Sequence, residues 1–180
     1  MALRSTVFKA EVGIADLDRH YYADHSLTLA RHPSETDERM MVRLLAFVLN
    51  ASESLEFGRG LSSDEEPALW DRDLTGTIRT WIEVGQPDER LLRKACGRAD
   101  SVLVYAYGRG LDQWWRQNAQ AFAKLEKLRV WRLSPEDGTA LAALAERGMK
   151  LQCTVQDGHV LIAAADIDTL QIEPEALTAV

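Results

Sequence analysis

The residue types best suited to chemistry lie where a predicted strand ends and a helix begins. The alternating pattern over residues 77–84 predicts a strand with Glu83 near its end. A turn through Gly85 and Gln86 follows, and Asp88 is predicted to open a helix. A carboxylate at such a place suits metal or phosphate chemistry. It equally suits an ordinary solvated glutamate, and both interpretations of Glu83 stay open at this point.

A second acid, Glu38, lies at the start of a helix predicted over residues 35–51. Apolar residues recur along this helix at helical spacing, and Ser34 is its predicted N-cap. On a helical wheel Glu38 falls within the apolar stripe. An acid there either complements the helix dipole or points inward as a site residue.

Strands and helices alternate along the chain and must position these acids. Alternation over residues 6–14 and 25–31 predicts an N-terminal hairpin with a long polar connection, and Asp157-Gly158 predicts a tight hairpin turn. A predicted edge strand at 159–164 or 169–172 is a candidate surface for pairing between subunits. Further strands are predicted over residues 54–57, 68–73, 101–107, 128–133 and 150–156, and further helices over residues 88–99, 111–126 and 135–147.

The composition is that of a globular protein. The chain has 180 residues, of which 46% are hydrophobic and 27% charged, and this predicts a single domain over residues 1–180. No apolar run approaches the roughly 18 residues that a membrane helix needs, and no signal peptide is recognisable, so we expect a cytoplasmic protein. Cys96 and Cys153 lack metal-site spacing and are expected to be buried thiols.

The charge distribution limits the classes of partner. A net charge of −7 argues against broad, charge-driven binding of nucleic acid. Two local basic clusters are candidates for a nucleic-acid groove, although such runs are usually solvated helix faces. The clusters are Arg90, Arg93, Lys94 and Arg98, and Lys124, Lys127, Arg129 and Arg132.

The order of predicted elements points to a known fold. Residues 34–107 are predicted to run helix, strand, strand, strand, helix, strand, with an acid at the end of the third strand. This order is similar to the core of the PD-(D/E)xK nuclease-like fold, and nearly the whole chain resembles the YaeQ family of bacterial proteins. The motifs that carry the resemblance are Leu29-Ala30-Arg31-His32-Pro33-Ser34-Glu35-Thr36, Glu38-Arg39-Met40, Phe57-Gly58-Arg59-Gly60-Leu61, Glu66-Pro67-Ala68-Leu69-Trp70 and Trp81-Ile82-Glu83-Val84-Gly85-Gln86-Pro87-Asp88.

The resemblance implies a mixed α/β fold that varies on the nuclease core, with an added N-terminal hairpin and C-terminal strands. In that superfamily, acids on the second and third core strands hold Mg²⁺, and a lysine two residues after the third-strand acid helps the attacking water. An acid on the first helix often assists. Mg²⁺ suits this task because it prefers oxygen ligands and stabilises charge on the scissile phosphate. Glu83 matches the third-strand acid and Glu38 the helix acid.

Two positions depart from the superfamily pattern. Gly85 stands where the lysine is expected, and Pro67-Ala68 stands where a Pro-Asp pair is expected. Replacements for the missing metal ligand are Asp71 or Glu66, and replacements for the missing lysine are Lys94 or Gln86.

Two functions follow from these observations. The first is a non-catalytic, binding or regulatory protein that keeps the scaffold and recognises a protein, a nucleic acid or a small ligand. The alternative is a Mg²⁺-dependent phosphodiesterase or nuclease, in which Glu83 and Asp71 hold the metal, Glu38 assists and Lys94 steadies the phosphate. The discriminating observation is whether carboxylates converge at the end of the Glu83 strand.

Overall fold

The computed structural model describes residues 4–59 and 65–179, which form two compact units. The first unit comprises residues 1–52 and 136–174, and the second comprises residues 53–135 and 175–180. The described residues contain four helices and two mixed sheets, where the sequence predicted one. The strands are β1 (Thr6–Asp16), β2 (Tyr21–Arg31), β3 (Leu55–Phe57), β4 (Leu69–Arg72), β5 (Ile78–Val84), β6 (Ala99–Ala106), β7 (Leu128–Arg132), β8 (Gly148–Gln156), β9 (His159–Ala163), β10 (Leu170–Ile172) and β11 (Glu175–Ala176), and the helices are α1 (Asp37–Asn50), α2 (Glu89–Arg98), α3 (Leu111–Phe122) and α4 (Pro135–Ala143).

The sheet of the first unit has the strand order β10-β9-β8-β1-β2. Strand β1 is central, and it pairs antiparallel with β2 and parallel with β8. The predicted N-terminal hairpin is confirmed, but its connection is short, because β2 already begins at Tyr21. At the β8–β9 turn, Asp157 and Gly158 both have positive φ, as a tight two-residue hairpin turn requires.

Helix α1 buries the apolar stripe that the sequence predicted, including Met41, Leu44 and Leu45. Its N-cap is Thr36, whose hydroxyl oxygen accepts a hydrogen bond from the Arg39 backbone N–H at 3.1 Å. The prediction of Ser34 as the cap is wrong, because the Ser34 hydroxyl is hydrogen-bonded to Nδ1 of His32 instead.

The second unit has a sheet with the order β11-β7-β6-β5-β4-β3. Strands β3, β4 and β5 are antiparallel neighbours, whereas β5, β6 and β7 run parallel. The N-cap prediction for α2 is confirmed, since the Asp88 carboxylate accepts the Leu91 backbone N–H at 2.8 Å. Residues of β4–β7, α2 and α3 share one hydrophobic cluster that includes Trp70, Trp81, Leu92, Ala95, Val102, Val104, Trp114 and Phe122.

The element order predicted for residues 34–107 is the order observed from α1 to β6. Helix α1 lies in the first unit, and β3 to β6 lie in the second. Helices α3 and α4 end about a turn earlier than predicted, because backbone bonds between residues three apart, such as Leu144 to Leu141, close each helix. Gly60 and Leu61, part of one motif, lie outside the described residues. No helix in the described part of the chain is long and apolar enough to cross a membrane.

Candidate functional site

Glu83 lies near the end of β5 and is 9% exposed. Strand alternation places it on the same face as Trp81, which belongs to the hydrophobic cluster of the second unit. The Trp81 indole N–H donates a hydrogen bond of 2.8 Å to Oε1 of Glu83. The carboxylate is therefore a buried group that a neighbouring side chain on the same strand holds in place.

The position beside Glu83 on the neighbouring strand carries a methyl group. Leu69 of β4 pairs with Ile82 of β5. Because the strands are antiparallel, Ala68, one residue before Leu69, lies beside Glu83, one residue after Ile82. Ala68 is only 5% exposed. The structure thus places Ala68, which stands where the resemblance implies an aspartate, beside Glu83.

Asp71 faces the other side of the sheet. It pairs with Thr80, and directly opposed residues of antiparallel strands share a face, whereas Thr80 and Glu83 lie on opposite faces of β5. The Asp71 carboxylate accepts a hydrogen bond of 2.8 Å from the Ser54 hydroxyl. The structure does not bring Asp71 and Glu83 together.

Glu66, the other replacement for the missing ligand, supports a turn. Its Oε2 accepts the backbone N–H of Arg59 at 3.0 Å, and its Oε1 lies 3.5 Å from the Arg59 guanidinium. The backbone there is tightly packed, because a Cβ at Gly58 would lie 1.9 Å from the carbonyl oxygen of Pro67. Glu66 therefore has a local structural role in this geometry.

Lys94 is engaged by an acid on the loop before β4. Its Nζ lies 2.6 Å from Oε1 of Glu65, and the hydrogen bond from Lys94 is the largest cause of the lowered pKa of the Glu65 carboxyl. Arg98, one turn further along α2, donates to the Glu65 carbonyl oxygen at 2.9 Å and lies over the Trp81 ring. These contacts tie α2 to the loop.

Gln86 joins the loops that follow β5 and β6. Its Nε2 donates to the carbonyl oxygens of Tyr107 and Arg109, at 3.0 and 2.8 Å. Gly85, beside it, has φ +99°, in the left-handed region that residues with a Cβ rarely adopt. The backbone at the expected lysine position therefore favours glycine.

Glu38 lies in the first unit and is half-buried. A Cβ at Gly138, in the first turns of α4, would lie 2.2 Å from its Oε1. The carboxylate thus occupies the space that a side chain at position 138 would need.

The sequence interpretation missed two buried acids. Glu35 is bound by Arg43 through two contacts of 2.7 and 2.9 Å, and Arg39 adds a third of 2.7 Å. The sequence signal for this cluster was the spacing of four residues from Glu35 to Arg39 and from Arg39 to Arg43, since residues at this spacing lie on one side of a helix. Asp16, 1% exposed, is paired with Arg19 at 2.7 Å.

Two members of the second basic cluster form contacts within the fold. Lys127 donates to the carbonyl oxygens of Cys96 and Ala99, at 3.0 and 2.9 Å, and so binds the C-terminal end of α2. Arg132 forms ion pairs with Asp112 and Glu175, at 3.1 and 2.6 Å. In the first cluster, Arg93 is paired with Glu89, while Lys94 and Arg98 both contact Glu65.

Across residues 4–59 and 65–179, no three His, Cys, Asp or Glu side chains are arranged to hold one metal ion. Burial raises the pKa of the Cys153 thiol to about 12, and desolvation also raises the pKa of Cys96.

The chain matches one protein family over almost its full length. The family model described as "YaeQ protein" matches residues 1–174. "Uncharacterized protein YaeQ" from Escherichia coli (strain K12) is 48% identical over 164 residues, which cover 91% of both chains. The protein of the same name from Salmonella typhi is 48% identical over 166 residues, which cover 92% of both chains.

Two crystal structures have the same fold. The YaeQ protein from Xanthomonas axonopodis pv. citri superposes with a TM-score of 0.93 at 50% identity, covering 97% of this chain and 99% of that one. The YaeQ protein from Pseudomonas syringae also gives a TM-score of 0.93, at 36% identity and with 97% of each chain covered.

Proposed function

The chain belongs to the YaeQ family, and we propose that it is a non-catalytic protein that binds another protein through a nuclease-like scaffold. The order of elements from α1 to β6 supports a derivation from the PD-(D/E)xK core. A shared scaffold does not establish a shared reaction, so the proposal depends on the site itself.

The observation that carries the proposal is the pairing of Glu83 with Ala68. A Mg²⁺ site of this superfamily needs oxygen ligands from both strands, and a methyl group fills the second position. The Glu83 carboxylate already accepts the Trp81 N–H. The donor set of the described residues at this strand end does not fit a Mg²⁺ site.

The expected lysine position supports the same conclusion. Gly85 has a positive φ, and a residue with a Cβ would adopt that conformation at a cost of about 1 kcal/mol or more. Lys94 and Gln86 are held by Glu65 and by backbone carbonyl groups. The two replacement candidates thus have structural contacts of their own.

A protein partner is favoured over a nucleic acid by the state of the basic side chains. Binding to phosphates needs lysine and arginine side chains that can be redirected to the nucleic acid. Here Lys127 and Arg132 bind the fold, and Lys94 pairs with an acid. The net charge of −7 further weakens a phosphate backbone's attraction to the protein.

Calorimetry with divalent ions tests whether Glu83 serves a metal site. We expect no Mg²⁺ or Mn²⁺ binding at millimolar concentration that depends on Glu83, with Glu83→Ala as the comparison. The variant Ala68→Asp is the matched gain-of-function control, since it places a second carboxylate beside Glu83, and it should bind Mn²⁺ more tightly than wild type. Binding by wild type that is lost in Glu83→Ala would overturn the proposal.

A second assay tests nucleic acid as substrate or partner. Wild type and Glu83→Ala are incubated with single- and double-stranded DNA and RNA in Mg²⁺, and binding is followed by fluorescence anisotropy at low and moderate salt. We expect neither cleavage nor salt-dependent binding. Cleavage by wild type that Glu83→Ala abolishes would establish the phosphodiesterase alternative. Tight binding that weakens with salt would show that the partner is a nucleic acid and not a protein.

A further inference from the structure

The edge strand β2 differs from the other sheet edges of the described residues. The opposite edge, β10, has three residues, and the edges of the second sheet, β3 and β11, have three and two. Strand β2 has eleven residues, contains no proline and pairs with β1 without a bulge. Proteins usually shorten, bulge or cover such edges, because unpaired backbone groups on a long strand bind another strand.

The hydrogen bonds of β1 show which backbone groups of β2 point outward. The Lys9 backbone N–H donates to the Arg147 carbonyl oxygen at 2.8 Å, toward β8, so the even-numbered residues of β1 bond to β2. Their partners in β2 are odd-numbered, as in the pair Val12 and His25. The even-numbered residues of β2 therefore direct their N–H and C=O groups away from β1.

One contact independently supports this assignment. The Arg43 guanidinium donates to the carbonyl oxygen of Ala30, an even-numbered residue of β2, at 3.2 Å. The remaining outward residues are Tyr22, Asp24, Ser26 and Thr28. Among the hydrogen bonds of the described residues outside the β1–β2 ladder, none uses a backbone group of these four.

The core-facing side of β2 is also incompletely covered. Val12 and Ile14 of β1 are 1% and 3% exposed, whereas their β2 partners His25 and Ala23 are only half-buried. Leu27 is half-buried as well. A strand added beside β2 would cover these side chains and satisfy the outward backbone groups together.

We propose that two copies of this chain pair antiparallel along β2, about a twofold axis at His25. Near the middle of β2, three positions of the twofold axis, at Asp24, His25 or Ser26, set the outward backbone N–H and C=O groups of one copy opposite those of the other. A register centred on Asp24 places two carboxylates opposite each other, and one centred on Ser26 directs the second copy to the Ala30 carbonyl that Arg43 occupies. The register centred on His25 avoids both conflicts.

Side-chain pairing in this register is self-complementary. It sets Tyr22 opposite Thr28 and Asp24 opposite the neutral Ser26, so no like charges meet on the exposed face. On the core-facing side, Ala23 lies opposite Leu27, and each covers the other's half-exposed surface. A single paired strand makes a small interface, so we expect a reversible dimer with a micromolar dissociation constant.

Disulfide trapping tests the register. In a Cys96→Ser background, His25→Cys places two thiols across the axis in a pair whose Cα atoms are about 4.5 Å apart, within disulfide range. Leu27→Cys is the matched control. In this register Leu27 lies opposite Ala23 of the second copy, so the two cysteines at position 27 are four residues apart along the strand, or about 14 Å. Mild oxidation should give a covalent dimer of the folded His25→Cys variant and none of the Leu27→Cys variant. Equal cross-linking of both variants would overturn the proposal.

Sedimentation equilibrium over about 5–500 µM, a range that brackets micromolar affinity, tests the dimer itself. Wild type should associate reversibly, and Ser26→Pro should stay monomeric yet fold, since the Ser26 N–H takes no part in the β1 ladder. Where Ser26→Pro fails to fold, Ala23→Lys replaces it. A monomeric wild type throughout this range, or a folded Ser26→Pro that still dimerises, would overturn the proposal.

Discussion

At the scale of single residues, Trp81 has a polar role that its place in the hydrophobic cluster hides. Its indole N–H is the donor to the buried Glu83 carboxyl group, so the ring both fills the core and satisfies a polar group there. Trp70, whose ring meets Trp81 edge to face with centroids 6.2 Å apart, shares the packing role. Each ring also lies under an arginine guanidinium, Arg72 over Trp70 and Arg98 over Trp81, so the pair compares two similarly packed tryptophans of which Trp81 donates to Glu83.

We expect Trp81→Phe to lower the free energy of unfolding by about 1–3 kcal/mol more than Trp70→Phe, because it leaves a buried carboxylate without one donor. Urea denaturation at pH 7 measures both. Adding Glu83→Gln to Trp81→Phe should recover part of the loss, since a neutral amide is less costly to bury. Equal losses for the two tryptophan variants would show that the hydrogen bond contributes nothing.

The contact between Glu38 and Gly138 is a second prediction at this scale. Replacing glycine by alanine within a helix normally stabilises by about 1 kcal/mol, but a Cβ at position 138 would lie 2.2 Å from the Glu38 carboxylate. Gly138→Ala should therefore stabilise wild type less than it stabilises a Glu38→Ala background, because the Glu38 carboxylate must move to admit the new methyl group. A double-mutant cycle by urea denaturation measures the coupling, and an identical effect in both backgrounds would contradict the contact.

At the scale of elements, the accuracy of prediction follows the range of the interactions. The position of β5 in the chain, the Asp88 cap and the Asp157-Gly158 turn depend on a few adjacent residues, and each is found as predicted. The strict alternation expected along β5 is not found, because the β4–β5 register shifts at Asp71 and Arg72 and Ile78 joins Trp81 in one cluster. The parallel pairing of β1 with β8 joins residues about 140 positions apart, and no local pattern encodes it. For the same reason the split into two sheets was not predicted.

The candidate site also combines features set by adjacent residues with features set by residues far apart in the chain. Local alternation correctly predicted that Trp81 and Glu83 share a face of β5. Whether Asp71 or Ala68 stands beside Glu83 depends on the β4–β5 register, which alternation alone leaves open. The partners of Lys94 and Gln86 lie on other loops, so only the folded chain reveals them.

Two hairpin turns of the first unit are joined by one carboxylate. Asp18, in the β1–β2 turn, accepts the backbone N–H groups of Gly158 and Asp157 in the β8–β9 turn, at 2.9 and 2.8 Å. These bonds, Gly158 first, lower the pKa of Asp18 from its usual 3.8. A lowered pKa means that the stabilisation is complete above pH 3.8 and is lost as pH falls through the folded-state value.

We therefore expect Asp18→Asn to lower Tm at pH 7 and the difference from wild type to shrink as pH falls below 3.8. Thermal unfolding followed by circular dichroism across this range measures it. Asp168→Asn, a change at an exposed acid of the same unit, is the control and should show no such pH-dependent difference. A constant difference between Asp18→Asn and wild type at every pH would rule out the carboxylate's charge as its source.

At the scale of the whole molecule, the two cysteines report separately on the two units. Cys153 is buried in β8 of the first unit, and Cys96 is half-buried in α2 of the second. Only the thiolate reacts with alkylating reagents. At pH 8, a thiol with a pKa of about 12 is ionised in roughly one molecule in ten thousand.

We expect pulses of iodoacetamide at pH 8 to leave native Cys153 unmodified and to modify Cys96 more slowly than a free cysteine. Along a urea series, each thiol becomes reactive when its own unit opens, because burial is what raises its pKa. Mass spectrometry of the two peptides then gives a separate midpoint for each unit. Coincident urea midpoints mean that the two units unfold together, and separate midpoints mean that they unfold independently. Faster labelling of Cys153 than of Cys96 in the native protein would contradict the burial on which the prediction depends.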